Sequence, residues 1–580
     1  MQRVLALALL VSVSYLPSGT AAQQTASARE QPAYDLLITG GRIIDGTGNP
    51  WFYGDVAIRD GRVVAIGRLA GQNATRVIDA RGKFVSPGFI DIHSHADDNT
   101  NPTGRRTLRD ENPARRAAPN LVSQGITTVV VNHDGRSPWP IAEQKRTLES
   151  RNIGPNAILM VGHGEVRRQV MGSDVQRPAR PDEIVRMRAL VKQALEEGAS
   201  GLSAGLEYDP GRWSSTDEVA ALAAELVPYQ GVYISHERSE GSDPMWYWPS
   251  QDPPGPPTLL DAVRETIEIG ERSGATVVAS HIKAKGAHYW GSSMAAIQLI
   301  ESARARGVQV YADQYPYATS GTDGNTVLIP RWAFGTAQRN AARDYTAALR
   351  ATLADSALAA RVRNDVRHEI SRRGGAEKIM IMDHPIQEWV GKTLAQVAKA
   401  RGVEPIEAAF VIQFEGQADR VGGGRIRGFS LSELDIEAYA AKPWVATTTD
   451  GGIALPEDGP GTHSRFYGTY PRKIREYALD RGILSLEDAI RSSTSLPAQI
   501  MGLKDRGVLR VGAAADIVVF DPTRIRDRST FMGPHQHSEG IDFVLVNGQF
   551  VVDGAKLTGA LPGHVLTTGP SRAGARTSTN

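Results

Sequence analysis

Residues 88–95 read GFIDIHSH, an apolar run of strand type that ends in two imidazoles two positions apart. Side chains on a strand repeat every two residues, so His93 and His95 project to one face and can meet at one ion. Seven further runs share this grammar, apolar first and chemically loaded last. They are ITTVVVNHDG (126–135), NAILMVGHG (156–164), ASGLSAGL (199–206), GVYISHER (231–238), TVVASHIKAKG (276–286), VQVYADQYPY (308–317) and PWVATTTDGG (443–452). Helical patterns separate most of them, most clearly PDEIVRMRALVKQALEEG at 181–198. Strand–helix alternation implies parallel strands, and eight units predict an α/β fold of the (β/α)8 TIM-barrel type over 88–503. No glycine-rich phosphate loop follows the first run, which argues against a doubly wound open sheet. The stretch 318–442 is too long for one crossover helix and reads as a subdomain inserted before the last barrel strand.

The flanks have a different texture. YDLLITGGRIIDG (34–46), GDVAIRDGRVVAIG (54–67) and RVIDARGKFVSPG (76–88) alternate apolar and polar residues, with Asp60-Gly61 as a hairpin signal. The same pattern returns in AADIVVFDP (514–522) and DFVLVNGQFVVDG (542–554), with Asn547-Gly548 as the turn. The segments 33–87 and 504–560 are expected to join as a small β-sandwich built from both chain ends. Residues 1–22 read as a secretory signal: Arg3, then the apolar Val4–Leu16, then the small residues Ala21 and Ala22. This predicts a secreted or periplasmic protein. No later segment is apolar enough to cross a membrane. Residues 567–580 are rich in Ser, Thr, Gly and Arg and are expected to be disordered.

The chain has 580 residues, 41% of them hydrophobic and 22% charged, which suits a globular protein. With 65 Lys+Arg against 64 Asp+Glu, the net charge of +1 leaves no basic block for nucleic acid. There is no cysteine, so disulfides, thiol catalysis and every thiolate metal site are excluded.

In a barrel the ends of the strands form the active site, and here those ends carry His93, His95, Asp134, His163, His236, His281, Asp313, Tyr315 and Asp450. His236 and His281 each close a β-branched run and, with His93 and His95, make a four-histidine constellation suited to zinc. Asp450, at the end of the eighth run, is a candidate both to ligate the ion and to act as general base. His535-Gln536-His537 has the same spacing as the first pair, but it stands in a loop pattern and is not expected to bind metal. The segment Pro244–Pro257 holds six prolines with Trp246, Tyr247 and Trp248, and is either a pocket wall or a stiffened surface loop.

Several strings, in order, resemble the amidohydrolase superfamily and, within it, the D-aminoacylase (N-acyl-D-amino-acid deacylase) family: PGFIDIHSHAD, GLSAGLEYDP, ISHERSEG, SHIKAKG, DQYPY, TTDGG, THSRFYGTYPRKIREY and GAAADIVVFDP. The resemblance implies zinc-dependent hydrolysis of N-acyl-D-amino acids, with one or two Zn(2+) ions, on the barrel and sandwich already read. A peptidase acting on small peptides is the neighbouring alternative in the superfamily. The resemblance assigns His93, His95, His236, His281 and Asp450 as ligands, with Asp450 also the base. It further implies that Tyr315 polarises the scissile carbonyl and that Arg465 holds the substrate carboxylate. Lys283 is either a further anchor or an ordinary surface lysine. His163 and Arg167 stand in a string similar to one of the family, and either contact substrate, stand behind the residues that do, or are structural. One departure stands out. Where the family has cysteine in a string like GNCG, this chain has NHDG, so Asp134 takes the place of a thiolate ligand. His133 beside it is expected to face away.

Overall fold

The computed structural model of the chain describes residues 33–69, 71–97, 106–335 and 343–568. The signal-type segment 1–22 and residues 569–580 of the expected tail lie outside the described residues.

Eight parallel strands organise the middle of the chain: β1 (Phe89–Asp91), β2 (Ile126–Val131), β3 (Asn156–Leu159, continuing as Val161–Gly162), β4 (Gly201–Gly205), β5 (Val232–His236), β6 (Thr276–Ala279), β7 (Val310–Gln314) and β8 (Val445–Thr447). Each pairs in parallel with the next, with registers such as Val129↔Ala157, Val232↔Thr276 and Ala312↔Val445. Their residues are buried almost without interruption, as expected where helices cover a parallel sheet.

β8 also returns to β1. Ser94 bridges Gly451, the His95 N–H donates to the Gly451 carbonyl (2.8 Å), and the Asp450 N–H donates to that of His93 (3.0 Å). Both strands are only three residues long, so side chains complete the seam. The Tyr470 hydroxyl reaches the carbonyls of Ile90 (3.0 Å) and Thr447 (3.1 Å), and Asp91 accepts from the hydroxyls of Thr448 and Thr449.

The connecting helices carry the expected punctuation. Pro181–Glu197 starts on proline and stops at Gly198, whose φ of 116° only glycine adopts readily; Leu259–Ser273 begins in a capping box of Thr258 with Asp261. Between β7 and β8 the chain builds a separate apolar cluster, from Leu328 and Phe334 through Val362 and Leu394 to Ile426, around the antiparallel pair Ile379–Asp383 and Arg425–Gly428.

The two ends of the described chain meet in one nine-stranded sheet. Ile517–Phe520 pairs antiparallel with Phe84–Pro87, linking N- and C-terminal strands. Both hairpins turn where expected, at Asp60-Gly61 and Asn547-Gly548, with positive φ at all four residues. Past these strands, Val565–Leu566 pairs with β3 and ties the end of the chain to the parallel array. Among the described residues no helix is long and apolar enough to cross a membrane.

Candidate metal centre

The strand-end residues converge. His93 and His95 follow β1, past its last paired residue rather than within it, and still face one point. His93 Nε2 stands 3.7 Å from both Asp134 and Asp450; His95 Nε2 stands 3.6 Å and 3.1 Å from the same two carboxylates. On the other flank His236 Nδ1 and His281 Nε2 approach to 2.9 Å, with Asp134 Oδ1 3.6 Å and 3.8 Å away. Donors bound at about 2.0–2.1 Å to one tetrahedral ion stand about 3.3 Å apart, and the observed separations bracket that value. Asp134 lies between the two histidine pairs.

The nitrogens pointing away from this centre are held. Burial lifts Asp313 to about 7, against hydrogen bonds from His281 N–H and Ser280. Once it is ionised, Ser280 Oγ donates to it (2.7 Å), so His93 Nδ1 must donate to Ser280 Oγ (2.6 Å), leaving the Nε2 lone pair inward. The same Asp313 accepts the backbone N–H of His281 (2.6 Å). His236 Nε2 donates to Glu207 (3.1 Å), leaving Nδ1 inward. His281 Nδ1 lies 2.8 Å from Lys283 Nζ and 3.3 Å from Glu240. Outer partners of this kind orient ligands and tune their basicity. Glu207, Glu240 and Ser280 carry no role in the sequence reading, although GLEYDP and HERSEG hold the two glutamates, and Asp313 appears there only as one of the strand-end residues.

Three of the converging residues sit in left-handed backbone conformations: Asp134 (φ 57°), His281 (φ 37°) and Asp450 (φ 45°). Such conformations cost of order 1–3 kcal/mol and gather at functional sites. Two inward atoms, His93 Nε2 and Asp134 Oδ1, are buried without a hydrogen-bond partner, which is costly unless a further group satisfies them. Burial drives the His93 and His281 imidazoles below their ordinary value, toward the neutral form that binds metal. Burial also opposes charge on Asp134, but the neighbouring imidazoles of His236, His281 and His95 outweigh it and hold the carboxyl well below its usual range. For His236 burial is again outweighed, here by Glu240, Asp134 and Glu207, which lift it to about 10. Imidazole and carboxylate donors with no thiolate fit a divalent zinc-like ion.

A cavity of about 260 Å³ opens onto these residues. Asp450 borders it, with Oδ2 2.9 Å from Arg465 Nη1; burial opposes its ionisation, but the Arg465 charge prevails and holds it at about 2. The Arg465 guanidinium lies over the Tyr315 ring (4.7 Å). Its closeness explains Gly321, where a Cβ would come within 2.7 Å of Arg465 Nη2. Lys283 borders the cavity too, buried and paired with Glu240 rather than out on the surface. A second cavity of about 590 Å³ shares Tyr208, Gly321 and Thr322 with the first and is lined by Met245, Trp246 and Trp248. The proline-rich segment is therefore a pocket wall.

One expected substrate contact is corrected. His163 does not line the cavity: its Nε2 donates to Glu218 (2.8 Å), and the fully buried Arg167 pairs with the same carboxylate. His163 opens the helix His163–Met171, so its side chain turns away from the strand end into a buried ion triad. His133 stacks on His93 (3.9 Å) and donates from Nε2 to the Val130 carbonyl, facing away as expected. His535 and His537 bond to Gly459, Tyr467 and Ser123 and join none of the ligand groups among the described residues.

Fold and site together define an α/β protein built to hold divalent metal at the ends of parallel strands. Residues 76–246 and 260–552 match the amidohydrolase family, and the chain belongs to it. It is 31% identical to a D-aminoacylase of Alcaligenes xylosoxydans xylosoxydans, over 93% of this chain and 99% of that one. Its structure is similar, with a TM-score of 0.69 and 31% identity over 92% of this chain and 100% of the other, to the N-acyl-D-glutamate deacylase of Bordetella bronchiseptica complexed with zinc and a phosphonate mimic of the tetrahedral intermediate. The same values hold for a D-aminoacylase with a binuclear metal center, described by one-metal activation and second-metal attenuation.

Proposed function

We propose that this chain is a zinc-dependent amidohydrolase that cleaves the amide bond of N-acyl-D-amino acids, releasing a carboxylic acid and a free D-amino acid. The observation that carries the reading is the meeting of four histidines and two aspartates beside a cavity bordered by Arg465, Lys283 and Tyr315. His93, His95, Asp134, His236, His281 and Asp450 would hold one or two ions. When bound, zinc supplies Lewis acidity and lowers the pKa of water to about 7. Asp450 takes the proton from attacking water and returns it to the leaving amine; its hold at about 2 keeps it ionised for the first step. Tyr315 directs its hydroxyl at the scissile carbonyl, where a lost oxyanion donor costs about 3–4 kcal/mol. Arg465 and Lys283 bind the substrate carboxylate, a pairing suited to the guanidinium fork.

The architecture follows. The eight parallel strands close as a (β/α)8 barrel, a reading supported by the β8–β1 seam. The nine-stranded sheet folds over as a sandwich of 33–87 and 504–560, supported by the apolar cluster of Ile38, Val56, Val85, Ile517, Val519 and Leu545. Residues 318–442 form the inserted subdomain, supported by their own apolar cluster. We also propose export, on the signal pattern at 1–22.

The test is amide hydrolysis by the zinc-loaded protein on paired N-acetyl-D- and L-amino acids, with L-dipeptides alongside. D-amino acid release that stops on chelation is expected. Cleavage of dipeptides alone would replace the substrate assignment with a peptidase. Asp450→Asn is expected to abolish turnover with metal content nearly unchanged, and full activity in that variant would remove Asp450 from the mechanism.

A further inference from the structure

The cations bordering the metal cavity are not alike. Lys283 is neutralised by Glu240, and Arg465 by Asp450 at 2.9 Å. Arg136 borders the same cavity, half-buried, yet has no carboxylate partner among the described residues. Its guanidinium leans instead on the Tyr208 ring, 5.4 Å from the centroid. A guanidinium part-shielded from water without an anion gives up hydration for only a modest cation–π return.

Its backbone is set firmly. The Arg136 N–H donates to the His133 carbonyl (3.1 Å), closing the turn that also carries Asp134. Gly135 (φ 71°) packs where a Cβ would meet the backbone nitrogens of Gly205 at 3.0 Å and Gly164 at 3.2 Å. The turn is thus wedged between the ends of β3 and β4, and Arg136 leans toward Tyr208 beyond β4. Lys283 and Tyr315 follow β6 and β7, and Arg465 stands beyond β8. A ligand at the metal centre therefore meets positive charge in two directions, and of the cations bordering the cavity Arg136 alone has no counter-charge among the described residues.

We infer that Arg136 is a specificity-determining residue that binds a second carboxylate of the substrate. On the deacylase reading, on which this rests, the chain acts on N-acyl-amino acids bearing two carboxylates. One is held by Arg465 with Lys283, the other by Arg136. The second carboxylate belongs either to an acidic amino-acid side chain or to a dicarboxylic acyl group.

Two matched pairs separate these sources: N-acetyl-D-glutamate against N-acetyl-D-glutamine, and N-succinyl-D-leucine against N-butanoyl-D-leucine. Binding is measured by calorimetry on the zinc-loaded chain carrying Asp450→Asn, which leaves the bound compounds uncleaved, with and without Arg136→Gln. In one pair the acid is expected to bind at least about tenfold more tightly, as a charge-assisted hydrogen bond provides. That preference disappears in Arg136→Gln, and the pair that shows it names the source. No preference in either pair, or one that survives Arg136→Gln, overturns the inference alone. Binding of none of the four overturns the deacylase reading beneath it. Arg136→Glu is a second variant, expected to shift the preference to N-acetyl-D-lysine. Unchanged melting temperature and zinc content in both variants keep the comparison one of charge.

Discussion

Ser280→Ala tests whether the buried relay behind His93 sets its orientation as a ligand. The Ser280 hydroxyl is the only atom bridging His93 Nδ1 (2.6 Å) to Asp313 Oδ2 (2.7 Å), and all three residues are buried. Removing it leaves an imidazole N–H and a carboxylate oxygen without their shared partner. Asp313 keeps the His281 N–H (2.6 Å), so His281 stays anchored and the damage falls on His93. An unsatisfied buried polar group costs about 1–3 kcal/mol, and loss of an outer partner of a ligating histidine typically weakens metal binding by about 10–100-fold. Zinc competition against a chromophoric chelator is therefore expected to show an affinity loss in that range. Turnover recovers when zinc is raised in proportion, because no group touching substrate has changed. Zinc affinity equal to the parent's would refute the relay. Lost turnover that excess zinc cannot restore would instead place Ser280 in the reaction itself.

The ion triad of His163, Arg167 and Glu218 is structural, so Glu218→Ala is expected to cost about 3–5 kcal/mol in denaturant unfolding, as when a buried charge loses its partner. KM of whatever protein folds stays at the parent value, and a raised KM with intact stability would return His163 to the substrate site. Arg465→Ala removes both the substrate anchor and the cation beside Asp450; KM for substrates with a free α-carboxylate should rise at least tenfold, and an unchanged KM would sink the assignment. Lys473 is buried with its amine on Thr447 Oγ1 (2.9 Å), and burial lowers it from 10.5 to about 7. The unfolded chain therefore holds this proton up to about pH 10.5 and the folded chain only to about pH 7, so stability rises with pH across that window. The ceiling is about 5 kcal/mol. Lys473→Met, which leaves Thr447 Oγ1 its contact with Ser493, should raise stability at neutral pH and flatten that slope; an unchanged slope would show that the amine stays charged when folded.

The proposed ligand set is legible in the sequence because each member stands at or just past the end of a strand, and strand runs are the easiest pattern to read in this chain. His93, His236, His281 and Asp450 all close runs that begin apolar. What escapes is whatever depends on the return of the chain from a distance. Glu207 and Glu240 are ordinary acidic loop residues until β4 and β5 bring them against His236 and Lys283. Ser280 and Asp313 take their role from register, since β6 and β7 place one opposite the other. His163 misleads for the opposite reason. It too ends an apolar run, but there the chain enters a helix at once, and the change of direction carries the imidazole away from the strand-end face.

Asp134 shows why the substitution of a carboxylate for a thiolate leaves a workable site. Its backbone is left-handed, a conformation that short polar residues such as Asp tolerate and β-branched residues resist. The side chain then offers two donor atoms: Oδ1 toward His93, His236 and His281 at 3.6–3.8 Å, and Oδ2 toward His95 at 3.6 Å. A single sulfur would have to serve both flanks with one atom. The carboxylate divides the task between its oxygens, which suits the one or two ions proposed for this centre. The cost is softness. Oxygen is a harder donor than thiolate, so affinity for zinc rests more heavily on the four imidazoles and on the residues that aim them. That dependence gives Ser280, Asp313, Glu207 and Glu240 a part in the proposed centre through the imidazoles they aim.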